Sequence, residues 1–240
     1  MFSSSPFPNE CSDLGKGENS LKYKLSLLFK KIAVRLFPTS QFLFPSMKGG
    51  LRPAQLYVIM KKIYETSSEK FSIVEVGIAR GLSSVFIAEA LNSSGKIFSY
   101  FAVDTFSGFD KNSIFREQNV HGRMFNWDNY DYLDYLSYCK SVKSKKLPLR
   151  LVRHTEYDKL LSAQTFDMVI LDVDTEIATL EYLRFFYPRL NKGGLILVDD
   201  ACPDNKYDGA LRAYLKFCDE RAITPLFLRP KSALIYIDAE

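Results

Sequence analysis

From residue 70 onward, short apolar runs rich in β-branched residues alternate with segments of helical periodicity, and this alternation restricts the fold most. The runs are FSIVEV (71–76), IFSYFAVD (97–104), LRLVR (149–153), DMVILDV (167–173) and LILVDD (195–200). Helical patterns fall at 82–92, 124–140, 155–162, 175–190 and 207–221. Strands joined through helices build a parallel sheet, and runs this apolar are covered on both faces. Two last runs, PLFLR (225–229) and ALIYI (233–237), are too close in sequence for a crossover helix, so they must pair as a hairpin. The expected fold is α/β and Rossmann-like: a mostly parallel seven-stranded sheet, an antiparallel C-terminal hairpin, and helices on both faces.

A chain of 240 residues suffices for one domain with a full core and a small appendage. Its 47% hydrophobic and 25% charged residues are ordinary for a globular protein. The net charge of +4 is too weak to indicate nucleic acid without a local patch. Cys11, Cys139, Cys202 and Cys218 lack metal-like spacing and read as free thiols of a reducing compartment. No run is long enough to span a bilayer, and residues 1–20 lack the apolar core of a signal peptide, so a cytoplasmic location is expected. Residues 1–20 are expected to be flexible, 21–68 to form a helical cap, and 69–240 to form the main domain. Within the cap, LKYKLSLLFKKIAVRLF (21–37) carries five basic residues and no acid, with Leu25, Leu28, Phe29, Ile32 and Leu36 on one face. Such a helix either closes the core or lies on a membrane surface, and the first is favoured here. A second helix is expected from Pro53 to Tyr64.

The turn after the first strand reads VEVGIARGLSS. Glycine permits a sharp bend and a close approach of backbone to ligand. The spacing G-x-x-x-G, from Gly77 to Gly81, has neither the pyrophosphate fingerprint nor the Walker ending. It suits a nucleoside without phosphates, and S-adenosylmethionine is such a ligand. Asp104 ends the next strand, where folds of this kind place the carboxylate that binds ribose hydroxyls. Capping a turn is the plainer use of that aspartate. A parallel sheet closed by a C-terminal antiparallel hairpin is also the arrangement of class I methyltransferases.

The fourth and fifth strands end in LDVD and VDD. Asp172, Asp199 and Asp200 are therefore expected to converge, and crowded carboxylates call for a cation or protons. Oxygen ligands without nearby His or Cys point to Mg²⁺. The alternative is that Asp200 and Asp204 cap the following helix while Asp172 faces the cofactor.

The segments VEVGIARGLSS, VDTFSGF, LDVDTEIATLEYLRFFYPRLNKGGLILVDD and YDGALRAYLKF resemble the macrocin O-methyltransferase (TylF/MycF-like) family over roughly residues 70–222. The resemblance implies an S-adenosylmethionine-dependent enzyme that uses Mg²⁺ to hold adjacent hydroxyls of a sugar. By it, Glu75, Gly77, Gly81 and Asp104 would contact cofactor, and Asp172, Asp199 and Asp200 would bind metal. Ser83, Thr105, His154 and Asp172 complete the expected cofactor contacts. The family's D-L-Y-E-S-T segment stands here as DTEIAT, keeping Asp174 and Thr179 without the tyrosine. Catechol-type metal methyltransferases place a lysine base three residues after the first acid, where this chain has Thr175.

Residues 105–147 are longer than a plain crossover needs and hold the only Trp and four of the fourteen tyrosines in one stretch. They form either the lid of an acceptor pocket or a core helix. Asp172 and His121 are the expected catalytic groups, Asp172 serving as metal ligand and proton acceptor together. The expected partner is a small-molecule acceptor, a sugar or glycoside, with self-association left open. A nicotinamide-dependent oxidoreductase and a non-catalytic nucleoside-binding module are the competing readings. A nucleic-acid methyltransferase is disfavoured because DVDTE offers no proline–aromatic pair to stack a flipped base.

Overall fold

The computed structural model describes residues 51–79, 81–122, 146–203 and 208–238, together with Leu25, Leu28, Tyr135, Cys139, Val142 and Lys143. In chain order these give α1 (Pro53–Glu65), β1 (Lys70–Val76), α2 (Leu82–Ser93), β2 (Ile97–Asp104), α3 (Lys111–Asn119), β3 (Arg150–Arg153) and, after a 3-10 turn, α4 (Tyr157–Leu161). They continue with β4 (Phe166–Leu171), α5 (Glu176–Phe186), β5 (Leu190–Val198), α6 (Gly209–Arg221), β6 (Leu226–Leu228) and β7 (Ser232–Tyr236).

All seven expected strands join one sheet, in the order β3-β2-β1-β4-β5-β7-β6. β1 pairs in parallel with β2 and β4, β2 with β3, and β4 with β5. β7 runs antiparallel between β5 and β6, so the C-terminal hairpin is present as expected. The chain moves outward from β1 to β3 and then returns to the other side of β1. The strand order therefore reverses between β1 and β4, where open α/β sheets bind ligands.

Alternate residues of the strands feed two cores, one on each face. Val74, Val76, Val169 and Val198 pack with α5 and α6 through Leu183, Phe186, Tyr214 and Phe217. Ile73, Ile170 and Leu197 pack with α1 and α2 through Ile59, Ile63, Ile87 and Leu91. Helix α1 thus covers the sheet, with Ile59 and Ile63 fully buried. Leu25 and Leu28 are helical and exposed, and the rest of 21–37 lies outside the described residues, as does most of 124–140. No helix among the described residues is long and apolar enough to cross a membrane.

Two boundaries differ from the sequence expectation. The helix expected over 175–190 stops at Phe186 and finishes as a 3-10 turn, Tyr187–Arg189, because Pro188 lacks the N–H needed to continue an α-helix. β5 begins at Leu190, earlier than expected, with an irregularity where Phe166 and Met168 pair across to it.

Candidate active site

β1 ends at the reversal point and delivers the chain to Gly77, whose φ is +82°. A Cβ there would lie 2.7 Å from the Asp172 carbonyl carbon and closer still to its oxygen. Gly77 is thus required twice, by its left-handed backbone and by the adjoining end of β4. Its N–H donates to the Val103 carbonyl at 2.9 Å, and the Asp172 N–H donates to the Val76 carbonyl at 2.9 Å. Three neighbouring strand ends are so locked together.

Asp104 does more than end β2. Its Oδ2 accepts from the Ile78 and Ala79 amides at 2.9 and 3.2 Å, and its Oδ1 from the Phe106 amide at 2.8 Å. The carboxylate therefore staples the glycine turn to β2 while lining the cavity beside it. Burial pushes its pKa up, and the amides of Phe106, Ile78 and Ala79 pull it back.

Glu75, expected to touch cofactor, is 1% exposed and does not line the cavity. Its carboxylate accepts from the hydroxyls of Ser83, Ser84 and Tyr100, bracing β1 against α2 and β2. Ser83 is thereby committed inward, and Gly81 serves as the left-handed N-cap of α2. Strand alternation explains the correction: Glu75 shares the side of β1 that faces α2, with Ile73. Burial raises the Glu75 pKa against the opposing pull of the three hydroxyls. The native state thus holds this proton more tightly than the unfolded chain. The stability it contributes is present below the ordinary glutamate value and is lost as pH rises through the native value. Glu75→Gln removes the titration, so the melting temperature of wild type minus variant should decline as pH rises from about 4. A difference that stays flat to about pH 8 would contradict this assignment.

The cavity encloses about 730 Å³ of space, its open mouth included. Gly77, Asp104, Thr105, His154 and Asp172, which the sequence marks as candidate cofactor contacts, are among the residues that line it. The 3-10 turn after β3 brings His154 there, with Nδ1 against the Tyr182 hydroxyl and the ring stacked on Tyr157 at 5.9 Å. Tyr182 also lines the cavity. Its position on the inward face of α5 was visible as helical periodicity, but nothing in the sequence marked it as a pocket residue.

At one side of this cavity Asp172, Asp174 and Asp200 each offer a carboxylate oxygen, all within 4.8 Å of one another. The expected trio is therefore changed in one member. Asp199 is turned away: its Oδ1 accepts from Gln55 Nε2 at 2.7 Å and Ser232 Oγ at 3.1 Å, and its Oδ2 from Lys231 Nζ at 2.5 Å. Asp199 and Asp200 both follow the end of β5 and both reach Lys231, but the oxygens of Asp199 are taken up by Gln55, Ser232 and Lys231. Asp174 takes the vacated role through a left-handed turn, φ +59°.

Lys231, on the hairpin turn, also stands 3.1 Å from Asp200 Oδ1. No sequence signal linked it to acids so far away in the chain. Burial works against its charge, but Asp172, Asp199 and Asp200 outweigh burial and lift its pKa above the ordinary lysine range. Burial and the charge of Asp199 push Asp172 well up, while burial and the neighbouring Asp200 do the same to Asp174. One ammonium among four carboxylates leaves the site short of positive charge. Thr175, 1% exposed, lines the same cavity, and its Oγ1 has no hydrogen-bond partner in the chain. Three convergent carboxylate oxygens beside an unsatisfied hydroxyl form an oxygen donor set that fits a hard divalent cation.

His121, expected as a catalytic group, is not part of the cavity wall. Its Nε2 lies 3.0 Å from Glu176 Oε2, behind the start of α5. Helix α3 ends at Asn119, and the turn beyond it carries His121 toward α5 and away from the pocket.

The sequence model of the methyltransferase domain matches residues 74–201, more than half of the chain. The chain belongs to this family. The matched segment runs from β1 to just beyond β5 and so contains the glycine turn, Asp104 and the acid cluster. The fold of the methyltransferase domain is also that of the O-methyltransferase NovP, with a TM-score of 0.64 at 14% identity over 90% of this chain and 99% of that one. The calicheamicin methyltransferase CalS11 superposes with a TM-score of 0.59 at 18% identity, over 91% of this chain and 93% of that one. Comparison with curated proteins by sequence gives no match.

Proposed function

We propose that the protein is an S-adenosylmethionine-dependent O-methyltransferase that acts on a hydroxyl of a small molecule, a sugar or glycoside, with Mg²⁺ at the acid cluster. One observation carries this reading: the cavity at the strand reversal is lined by the glycine turn and Asp104 and also by Asp172 and Asp174, which cluster with Asp200. A nucleoside site and a site for an oxygen acceptor thus share one space. NovP is named an O-methyltransferase and CalS11 a calicheamicin methyltransferase, and both names agree with methyl transfer. The macrocin-like motifs support the sugar hydroxyl as acceptor.

When bound, the cofactor would supply a methyl group on a sulfonium, open to in-line displacement by an acceptor oxygen, and the cation would supply Lewis acidity toward that oxygen. The chain's own groups do the rest. Asp104 is placed to accept ribose hydroxyls, with its second role of fixing the glycine turn keeping it rigid. His154 and Tyr182 form the aromatic side of the pocket, where a base ring would stack. Asp172, Asp174 and Asp200 would hold the cation. Asp172 borders both halves of the cavity, and its carboxylate is placed to take the acceptor proton. Lys231 offsets part of the cluster's charge and keeps its carboxylates from repelling one another apart.

Calorimetric titration with S-adenosylmethionine and S-adenosylhomocysteine should give one site each, and Asp104→Ala should weaken both at least tenfold. Binding of NADH with neither of those ligands would sink the reading.

A further inference from the structure

Glu117 is 2% exposed, an uncommon place for a carboxylate, and nothing in the proposed chemistry uses it. Its Oε1 accepts the backbone N–H of Glu176, the first residue of α5, at 2.8 Å. Its Oε2 accepts from Arg212 Nη2 on α6 at 2.8 Å. Helix α5 needs this contact, because its own N-cap, Thr175, makes no capping bond to the free amides. The cap is supplied across space by another helix, and a carboxylate there also suits the positive end of the helix dipole.

The knot around this contact is tight. Arg212 Nε holds Glu176 Oε2 at 2.8 Å, and its Nη1 pairs with Asp208. A Cβ at Gly209 would come within 2.9 Å of Glu117 Oε1 and 2.5 Å of the Asp174 carbonyl oxygen. Glu117 therefore packs directly behind the turn that holds Asp174 in its left-handed conformation. One helical turn before Glu117, on the same face of α3, Ser113 lines the cavity, as does the N-cap Asp110. The segment Asp172–Thr175 and Ala178 of α5 line the same cavity.

We propose that Glu117 is a positioning residue that fastens two segments of the cofactor cavity's lining, α3 and the 172–175 turn, to each other. It touches no substrate and acts through the Glu176 amide. The proposal rests on the S-adenosylmethionine reading above.

Two conservative substitutions separate this role from a plain ion pair. Glu117→Gln keeps an oxygen for the Glu176 N–H but loses the charge facing Arg212. Glu117→Asp keeps the charge but draws the oxygen back from Glu176 by one methylene. With S-adenosylhomocysteine as the calorimetric probe, Glu117→Gln should bind within threefold of wild type, and Glu117→Asp at least tenfold more weakly. Amide hydrogen exchange at Glu176 should stay slow in the Gln variant and accelerate in the Asp variant. The reverse order of affinities, or equal affinity in both variants whatever their melting temperatures, would overturn the proposal. If wild type takes up no S-adenosylhomocysteine, the cofactor reading fails first and this proposal falls with it.

Discussion

Asp200→Asn should lower turnover by about 10²–10⁴-fold while S-adenosylhomocysteine still binds within a few-fold of wild type. That range is what loss of Lewis-acid assistance, on the order of several kcal/mol in barrier, produces. Asp200 belongs to the three-carboxylate cluster and does not line the nucleoside cavity, so its loss separates the two functions. Asp172→Asn should cost as much in turnover and also weaken cofactor binding in part, since Asp172 borders both. Asp199→Asn is expected to behave differently. Its carboxylate is bound to Lys231, Gln55 and Ser232, so the variant should chiefly lower stability. Excess chelator should abolish activity and Mg²⁺ restore it. Full activity in chelator, with normal turnover in Asp200→Asn, would mean that the acids serve only as turn and cofactor neighbours.

The second large effect is expected at Gly77. Gly77→Ala places a methyl group against the Asp172 carbonyl and forces a φ of +82° on a residue with a Cβ. Overpacking against backbone costs about 1–3 kcal/mol and a strained φ a further ~1–3 kcal/mol. Together these should lower the melting temperature by roughly 5–15 °C in a chain of this size and abolish cofactor binding in the folded fraction. Gly95→Ala is the control: φ there is +71°, but nothing lies within 4 Å of the added Cβ. Only the backbone strain should appear, without loss of cofactor. Equal effects at both positions would show that conformation alone, and not the approach of β4, requires Gly77.

The sheet was legible because its strands are unbroken apolar runs and its last link is too short for a helix. Asp104 and Gly77 stood out in the sequence because one ends β2 and the other directly follows β1, the strand at the reversal point. The acid cluster was only half legible. LDVD and VDD marked the strand ends, but which of the aspartates enters the cluster depends on the left-handed turns at Asp174 and Asp200. Lys231 and Glu117 were not legible at all, since their partners lie 32 and 59 residues away in the chain and only the packed fold brings them near. Glu75 misled for a related reason. Its place before the glycine turn suggests ligand contact, whereas the face of the strand commits it to Ser83, Ser84 and Tyr100. His121 likewise sits in a suggestive segment but is claimed by Glu176.

The most direct measurement is native mass spectrometry of the protein in an equimolar mixture of S-adenosylmethionine, S-adenosylhomocysteine, NAD and NADH. The cavity described here should retain one molecule of S-adenosylmethionine or its demethylated product per chain, and Asp104→Ala should retain neither. A chain that holds a nicotinamide nucleotide and excludes both sulfur nucleosides would contradict the central claim.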